Sequence, residues 1–187
     1  MDFTKTHAVL LIVTVSLLFA PTSYAARTTE ARIWNMCKPT TNPVVCYKTI
    51  LPEATKTQKF NMYKALEVEI QAAQTQVIQT ATNIATLIFQ SSNNKDVSDA
   101  LNTCKDQFSN IVDAITESVD LVSKRNVGEA RFKFSAVISY YSACKDAFTE
   151  SNITFPIAAD AQAVYDLGGN CLDLMKAIED KERARRT

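Results

Sequence analysis

The sequence predicts an all-α protein: an up-down-up-down four-helix bundle preceded by a short N-terminal helical hairpin and stapled by disulfides. Three observations carry that prediction. No proline or glycine occurs between Glu53 and Val127, a stretch of 75 residues, and helix interiors tolerate neither residue well. Apolar residues recur at spacings of three and four in four separate stripes, the mark of one buried face per helix. No run of alternating apolar and polar residues supports a sheet.

The elements follow in order. Met1 to His7 is a short polar start containing Lys5, and Ala8 to Ala20 is an apolar run broken only by Thr14 and Ser16. Small residues at Ser23 and Ala25 complete a secretory signal peptide over 1–25. Its apolar core is about 13 residues, short of the roughly 20 that span a bilayer. Cleavage after Ala25 leaves 162 of the 187 residues, a normal size for one domain over 26–187. Pro39, Pro43 and Pro52 crowd 26–52, which is too short and too broken for two full-length helices and reads as the hairpin. The bundle follows over 53–187.

Its first stripe is Leu66, Ile70, Ala73, Val77, Ala81, Ile84 and Ile88. The second runs Val97, Leu101, Cys104, Phe108, Ile111, Ile115, Val119 and Val122. The third is Ala130, Phe134, Val137, Tyr141, Cys144 and Phe148, and the fourth Ala161, Val164, Leu167, Cys171, Leu174 and Ile178. Polar clusters at 91–96, 123–126 and 150–152 separate them. Asn126 with Glu129 reads as a capping box opening the third helix. Short connections between helices of about 20 to 30 residues favour antiparallel neighbours. Gly168 and Gly169 inside the fourth helix cost about 1 kcal/mol each relative to alanine, so they signal a kink or a close helix approach. The basic C-terminus, Lys181 to Arg186, suits the negative end of a helix dipole.

Five cysteines are present. Cys104 and Cys144 sit on the core stripes of consecutive helices, where a bridge would clamp the bundle and stabilise it by about 4 kcal/mol in the chain-entropy model. A bridge between Cys37 and Cys46 would fasten the hairpin. Spacing alone leaves the connectivity open: any of five thiols can be the odd one, with three pairings of the rest. Cys171, on an apolar face, is most simply a buried free thiol.

Chemistry is narrowed by what is missing. The only histidine, His7, lies in the signal segment, so nucleophile–histidine pairs and the Glu-x-x-His sites of metal-binding bundles are unavailable. There is no Cys-x-x-Cys spacing and no phosphate-binding glycine loop, and Glu67 and Glu69 read as ordinary solvated helix charges. Without the signal segment the chain carries 19 acidic and 19 basic residues, so the basic bias of a nucleic-acid binder is lacking. No later segment has the apolar length of a membrane span. No cofactor or metal is expected, and the reading is of a protein that acts by binding.

Three motifs identify the kind of binding. Cys37-Lys38-Pro39-Thr40-Thr41-Asn42-Pro43-Val44-Val45-Cys46 leads to Leu51; Ala100-Leu101-Asn102-Thr103-Cys104 leads to Phe108; Ser135-Ala136-Val137 precedes Ala143-Cys144-Lys145-Asp146-Ala147-Phe148. In order, and behind an export signal, these resemble the plant invertase and pectin methylesterase inhibitors. The resemblance covers about Ile33 to Glu179. It implies bridges Cys37–Cys46 and Cys104–Cys144, with Cys171 as a fifth cysteine common in the family. It also implies a secreted, monomeric inhibitor that blocks a carbohydrate-active enzyme of the cell wall (apoplast) in a 1:1 complex.

Two targets are open. Pectin methylesterase inhibitors tend to carry acidic residues two, six and nine places after the third cysteine and two after the fourth. Those positions are Asp106, Asn110, Asp113 and Asp146, three of them acidic. Invertase inhibitors often carry Pro-Lys-Phe ahead of the third long helix. Here that region reads Asn126-Val127-Gly128-Glu129, and Phe132-Lys133-Phe134 comes later and lacks the proline. The resemblance therefore favours pectin methylesterase over acid invertase. Two residues past a core-facing cysteine is a turn of about 200°, which points Asp106 and Asp146 away from the core, and Asn110 and Asp113 continue the Asp106 face. A small-ligand carrier or signalling bundle is the reading from another class; it needs an internal pocket or a receptor patch, whereas the stripes favour a filled core. Asn152-Ile153-Thr154, in the connection before the fourth helix, is an N-glycosylation acceptor sequence.

Overall fold

A computed structural model describes residues 27–57 and 59–187; the expected signal peptide lies outside them. Every described element is helical: α1 (27–37), α2 (Pro43–Ala54), α3 (Met62–Gln90), α4 (Lys95–Ser123), α5 (Val127–Phe134), α6 (Ala136–Glu150) and α7 (Ala158–Ala184). Among them no helix is long and apolar enough to cross a membrane. Three helices start on asparagine caps. The side-chain oxygens of Asn42, Asn61 and Asn94 accept from the backbone N–H groups of Val45, Lys64 and Val97 at 3.2, 3.0 and 3.3 Å, each satisfying a donor that has no partner inside its helix. Asn126 precedes α5 but its side chain makes no cap bond, so the expected capping box does not form.

α3, α4, the α5–α6 pair and α7 form a closed ring of four layers, each packed on the next. Register shows them antiparallel. Cys104 meets Cys144 and Ser118 meets Ala130 along α4 and its neighbour; Tyr63 meets Glu182, Glu69 meets Asn170 and Asn83 meets Asp160 along α3 and α7. This is the expected up-down-up-down bundle, with one refinement. The third stripe spans two helices, α5 and α6, separated only by Ser135, whose Oγ donates to the Phe132 carbonyl at 2.7 Å. A serine hydroxyl competing for backbone in this way loosens a helix locally.

The third and fourth stripes are buried throughout, as are Leu101, Cys104, Phe108, Ile111 and Ile115 of the second. Val119 departs: it is 43% exposed, while Val97, Ala81 and Ile88 are half-buried. At the hairpin end, α2 continues through Pro52 to Ala54, two residues past the boundary read from that proline. Pro52 lacks a backbone N–H, so the helix gives up one ladder bond close to its end.

The two long turns share one device. Arg125 and Asn152 adopt left-handed φ values of 60° and 52°. Asn126 N–H reaches back to the Leu121 carbonyl and Ile153 N–H to that of Phe148, at 2.9 and 3.0 Å. These six-to-one bonds close α4 and α6 as Schellman motifs. Asparagine tolerates the conformation; arginine does so at a cost of about 1–2 kcal/mol. The Arg125 guanidinium lies over the Tyr63 ring, 3.8 Å from its centroid, a cation–π contact that offsets part of that strain.

The hairpin is seated on α7 by polar contacts. Thr41 donates through both its backbone N–H and its hydroxyl to Asp173 Oδ2, at 2.7 and 2.8 Å. Asn42 N–H donates to Asn170 Oδ1 at 2.7 Å, and Asn42 Nδ2 to Asp166 Oδ2 at 2.8 Å. Asp166, Asn170 and Asp173 stand on one face of α7 at spacings of four and three. Gly169 lies on that face and lets Thr41 approach, so the glycine pair marks a close approach. Gly168 packs instead toward Val137 and Ile138.

Candidate functional site

The bonded sulfurs of Cys104 and Cys144 bring the α4 and α6 backbones to 4.4 Å between Cα atoms, and those of Cys37 and Cys46 close the hairpin at 5.6 Å. The first bridge fixes the axial and rotational position of α4 against α6, and with it the side chains that follow each cysteine. Asp106 and Asp146, two residues beyond, are exposed. Asp113 is exposed and Asn110 half-buried. None of the three aspartates has an ion-pair or hydrogen-bond partner among the described residues.

A groove of about 610 Å³ runs between α4 and the α5–α6 junction. Asn110 and Asp113 line it, with Glu117, Lys133, Tyr140 and Phe132. Glu117 and Lys133 face each other across it at 3.3 Å. The structure thus brings Asn110 and Asp113 into one depression, while Asp106 and Asp146 stand outside its lining. Phe132, 71% exposed, is an apolar group on the rim that the stripe pattern does not single out. Phe134, two residues on, is fully buried. Acidic acceptors beside an aromatic rim suit a protein surface carrying cations. An unpaired exposed carboxylate gains little within its own chain, and can gain more against a desolvated partner charge.

Asn152 is exposed in the turn after α6, and its side chain leaves from a left-handed backbone position. Cys171 is fully buried, and its thiol is pushed well above its usual value, by burial first and then by the nearby Glu69 charge. A thiol so placed is a poor nucleophile.

Glu69 overturns the expectation of a solvated charge; Glu67 alone fits it, exposed and paired with Lys64 at 2.6 Å. Glu69 is 0% exposed. Its Oε1 accepts from Asn170 Nδ2 at 2.8 Å, and its Oε2 has no partner among the described residues. Burial raises its pKa to about 7, opposed by the Asn170 bond. The signal was present in the sequence: Glu69 stands at spacings of three and four between Leu66 and Ala73, on the stripe itself.

A family model described as plant invertase/pectin methylesterase inhibitor matches residues 31–174. A search of curated proteins finds no match. Among solved structures, a crystal structure of mutant form A of a pectin methylesterase inhibitor from Arabidopsis is similar with a TM-score of 0.63 at 16% identity, covering 75% of this chain and 92% of that one. A pectin methylesterase inhibitor from Arabidopsis thaliana gives a TM-score of 0.60 at 17% identity, covering 78% and 95%. At such identity the likeness concerns the fold.

Proposed function

Because the chain belongs to the plant invertase/pectin methylesterase inhibitor family, we propose that it blocks pectin methylesterase in the plant cell wall and so limits pectin demethylesterification. It is a proteinaceous inhibitor of this general type, not an enzyme. The observation that carries the choice of target is the row of unpaired carboxylates beside the α4–α6 bridge. Asp106, Asp113 and Asp146 occupy three of the four positions that are characteristically acidic in inhibitors of the esterase, and each is free to meet a partner cation. Asn110 replaces the fourth acid with a neutral hydrogen-bonding group on the same groove.

Acid invertase is the second reading. Lys133 and Phe134 are the nearest counterpart of the invertase inhibitors' Lys-Phe element, but Lys133 faces Glu117 and Phe134 is buried in the core. Neither is presented as a free, protruding pair, which favours the esterase.

In this reading residues 1–25 direct export to the apoplast, 26–187 act as one inhibitor domain, and a monomer forms a 1:1 complex. Asn152 carries a glycan in the native host. Intact mass of protein from plant tissue, before and after glycosidase treatment, checks it: a loss of one glycan is expected, and an unchanged mass contradicts it.

The docking face is tested by Asp106→Asn combined with Asp113→Asn. Truncating one side of an interfacial charge pair costs about 2–5 kcal/mol, so inhibition of the esterase should fall at least several-fold while helical circular dichroism stays unchanged. Undiminished inhibition places the contact elsewhere on the bundle.

A further inference from the structure

Glu69 stands where the hairpin meets the bundle. Asn170 of α7 donates one amide hydrogen to Glu69 Oε1 at 2.8 Å and the other to the Asn42 carbonyl at 3.2 Å, while its oxygen accepts from Asn42 N–H at 2.7 Å. One side chain therefore joins a buried carboxyl on α3 to the backbone of the hairpin. Asp166 and Asp173 of α7 hold the flanking hairpin donors. Among the described residues no lysine or arginine on the hairpin, α3, α4 or α7 pairs with Glu69. Cys171, the neighbouring titratable group on α7, is itself held neutral by burial and by the Glu69 charge.

We propose that Glu69 is a proton-operated latch for the loop of the N-terminal hairpin: protonated, it leaves the loop seated on α7; ionised, it opens that seam to water and frees the loop. A carboxylate at this depth has one hydrogen bond and one bare oxygen, and an uncompensated buried charge is costly. The cost is relieved by whichever neighbouring element opens most cheaply. The bundle helices are joined through an apolar core and the α4–α6 bridge. The hairpin helices bury Ile33, Cys37, Cys46 and Ile50 in that same core, but the loop at Thr41 and Asn42 is joined to α7 by five exchangeable polar bonds, and the Cys37–Cys46 bridge does not tie it to the bundle. Local opening follows the weakest cooperative unit. The carboxyl raised to about 7 by burial places the transition within a mild pH range, and geometry supplies the coupling.

Hydrogen exchange of the Thr41 and Asn42 amides reads this directly, since both protons are bonded to α7 only while the hairpin is seated. Exchange rates, divided by the intrinsic rate at each pH, give the opening equilibrium. In the wild-type protein, protection of these two amides should fall about tenfold per pH unit between pH 5 and 7, as one-proton linkage requires. Amides around Cys104 in α4 should keep theirs. Glu69→Gln should hold the two hairpin amides at one protection across the range. Asn170→Ala, which keeps the carboxyl but removes the bridge, should leave them poorly protected at pH 5 already. Constant protection in the wild type, an unaltered fall in Glu69→Gln, loss of α4 protection in step with the hairpin, or wild-type protection in Asn170→Ala each overturns the proposal.

Discussion

Thr41 lies so close to Gly169 that a β-carbon on the glycine would stand 2.5 Å from the threonine Oγ1 and 2.7 Å from its Cβ. A threonine Cβ cannot swing aside without moving its backbone, and that backbone is bonded to Asp173. The contact therefore sets how deep the hairpin sits.

Gly169→Ala is expected to destabilise the protein by about 1–3 kcal/mol, the usual cost of overpacking, despite a helix-propensity gain of about 1 kcal/mol. Gly168→Ala serves as the comparison. Its β-carbon meets side-chain ends, Ile138 Cδ1 at 3.3 Å and Val137 Cγ1 at 3.4 Å, which can yield, so the propensity gain leaves it near neutral. Urea denaturation of the two variants beside the wild type measures both. Equal stability of the two would contradict the account of the seam.

Stability should also depend on pH through Glu69. The folded carboxyl keeps its proton up to about pH 7, against an ordinary value of 4.5, so between these values the folded state binds more protons than the unfolded one. Its stabilising effect is fully present below about pH 4.5, falls as pH rises, and is gone above about pH 7. The loss is bounded at about 3 kcal/mol by the size of the shift, and is capped lower where opening of the hairpin loop relieves the charge. Glu69→Gln should match the wild type at pH 5 and exceed it at pH 8 in chemical denaturation. A wild type that is equally stable relative to Glu69→Gln at both values would refute the assignment.

Helix faces were legible in the sequence where burial is purely apolar. The stripe from Ala161 to Ile178 fixes the inner side of α7 because a 3.6-residue period leaves no other common face for those side chains. The same logic fails at Val119, an apolar residue that a long amphipathic helix leaves at the edge of its buried arc. It fails at Ser135, where a side-chain bond to Phe132 ends α5 inside an unbroken stripe. Polar burial was legible only as a position: Glu69 stands on the apolar stripe between Leu66 and Ala73, but its partner Asn170, 101 residues away, was not legible. The seating of the hairpin likewise depends on Asp166, Asn170 and Asp173, whose exposed-looking period says nothing about which segment returns to cover it. At the candidate site, exposure of Asp106 and Asp146 followed from their angle to the bridging cysteines, while the groove holding Asn110 and Asp113 is built with Phe132, Lys133 and Tyr140 of the neighbouring α5 and α6, a pairing no single stripe specifies.

The central claim, that the bundle is an inhibitor directed at pectin methylesterase, is tested most directly by titrating oxidised protein comprising 26–187 against plant pectin methylesterase and, separately, plant acid invertase, following residual activity of each. Esterase activity should fall linearly with added protein to an end point of one molecule per enzyme, with invertase unaffected. Unchanged esterase activity alongside suppressed invertase would contradict the account.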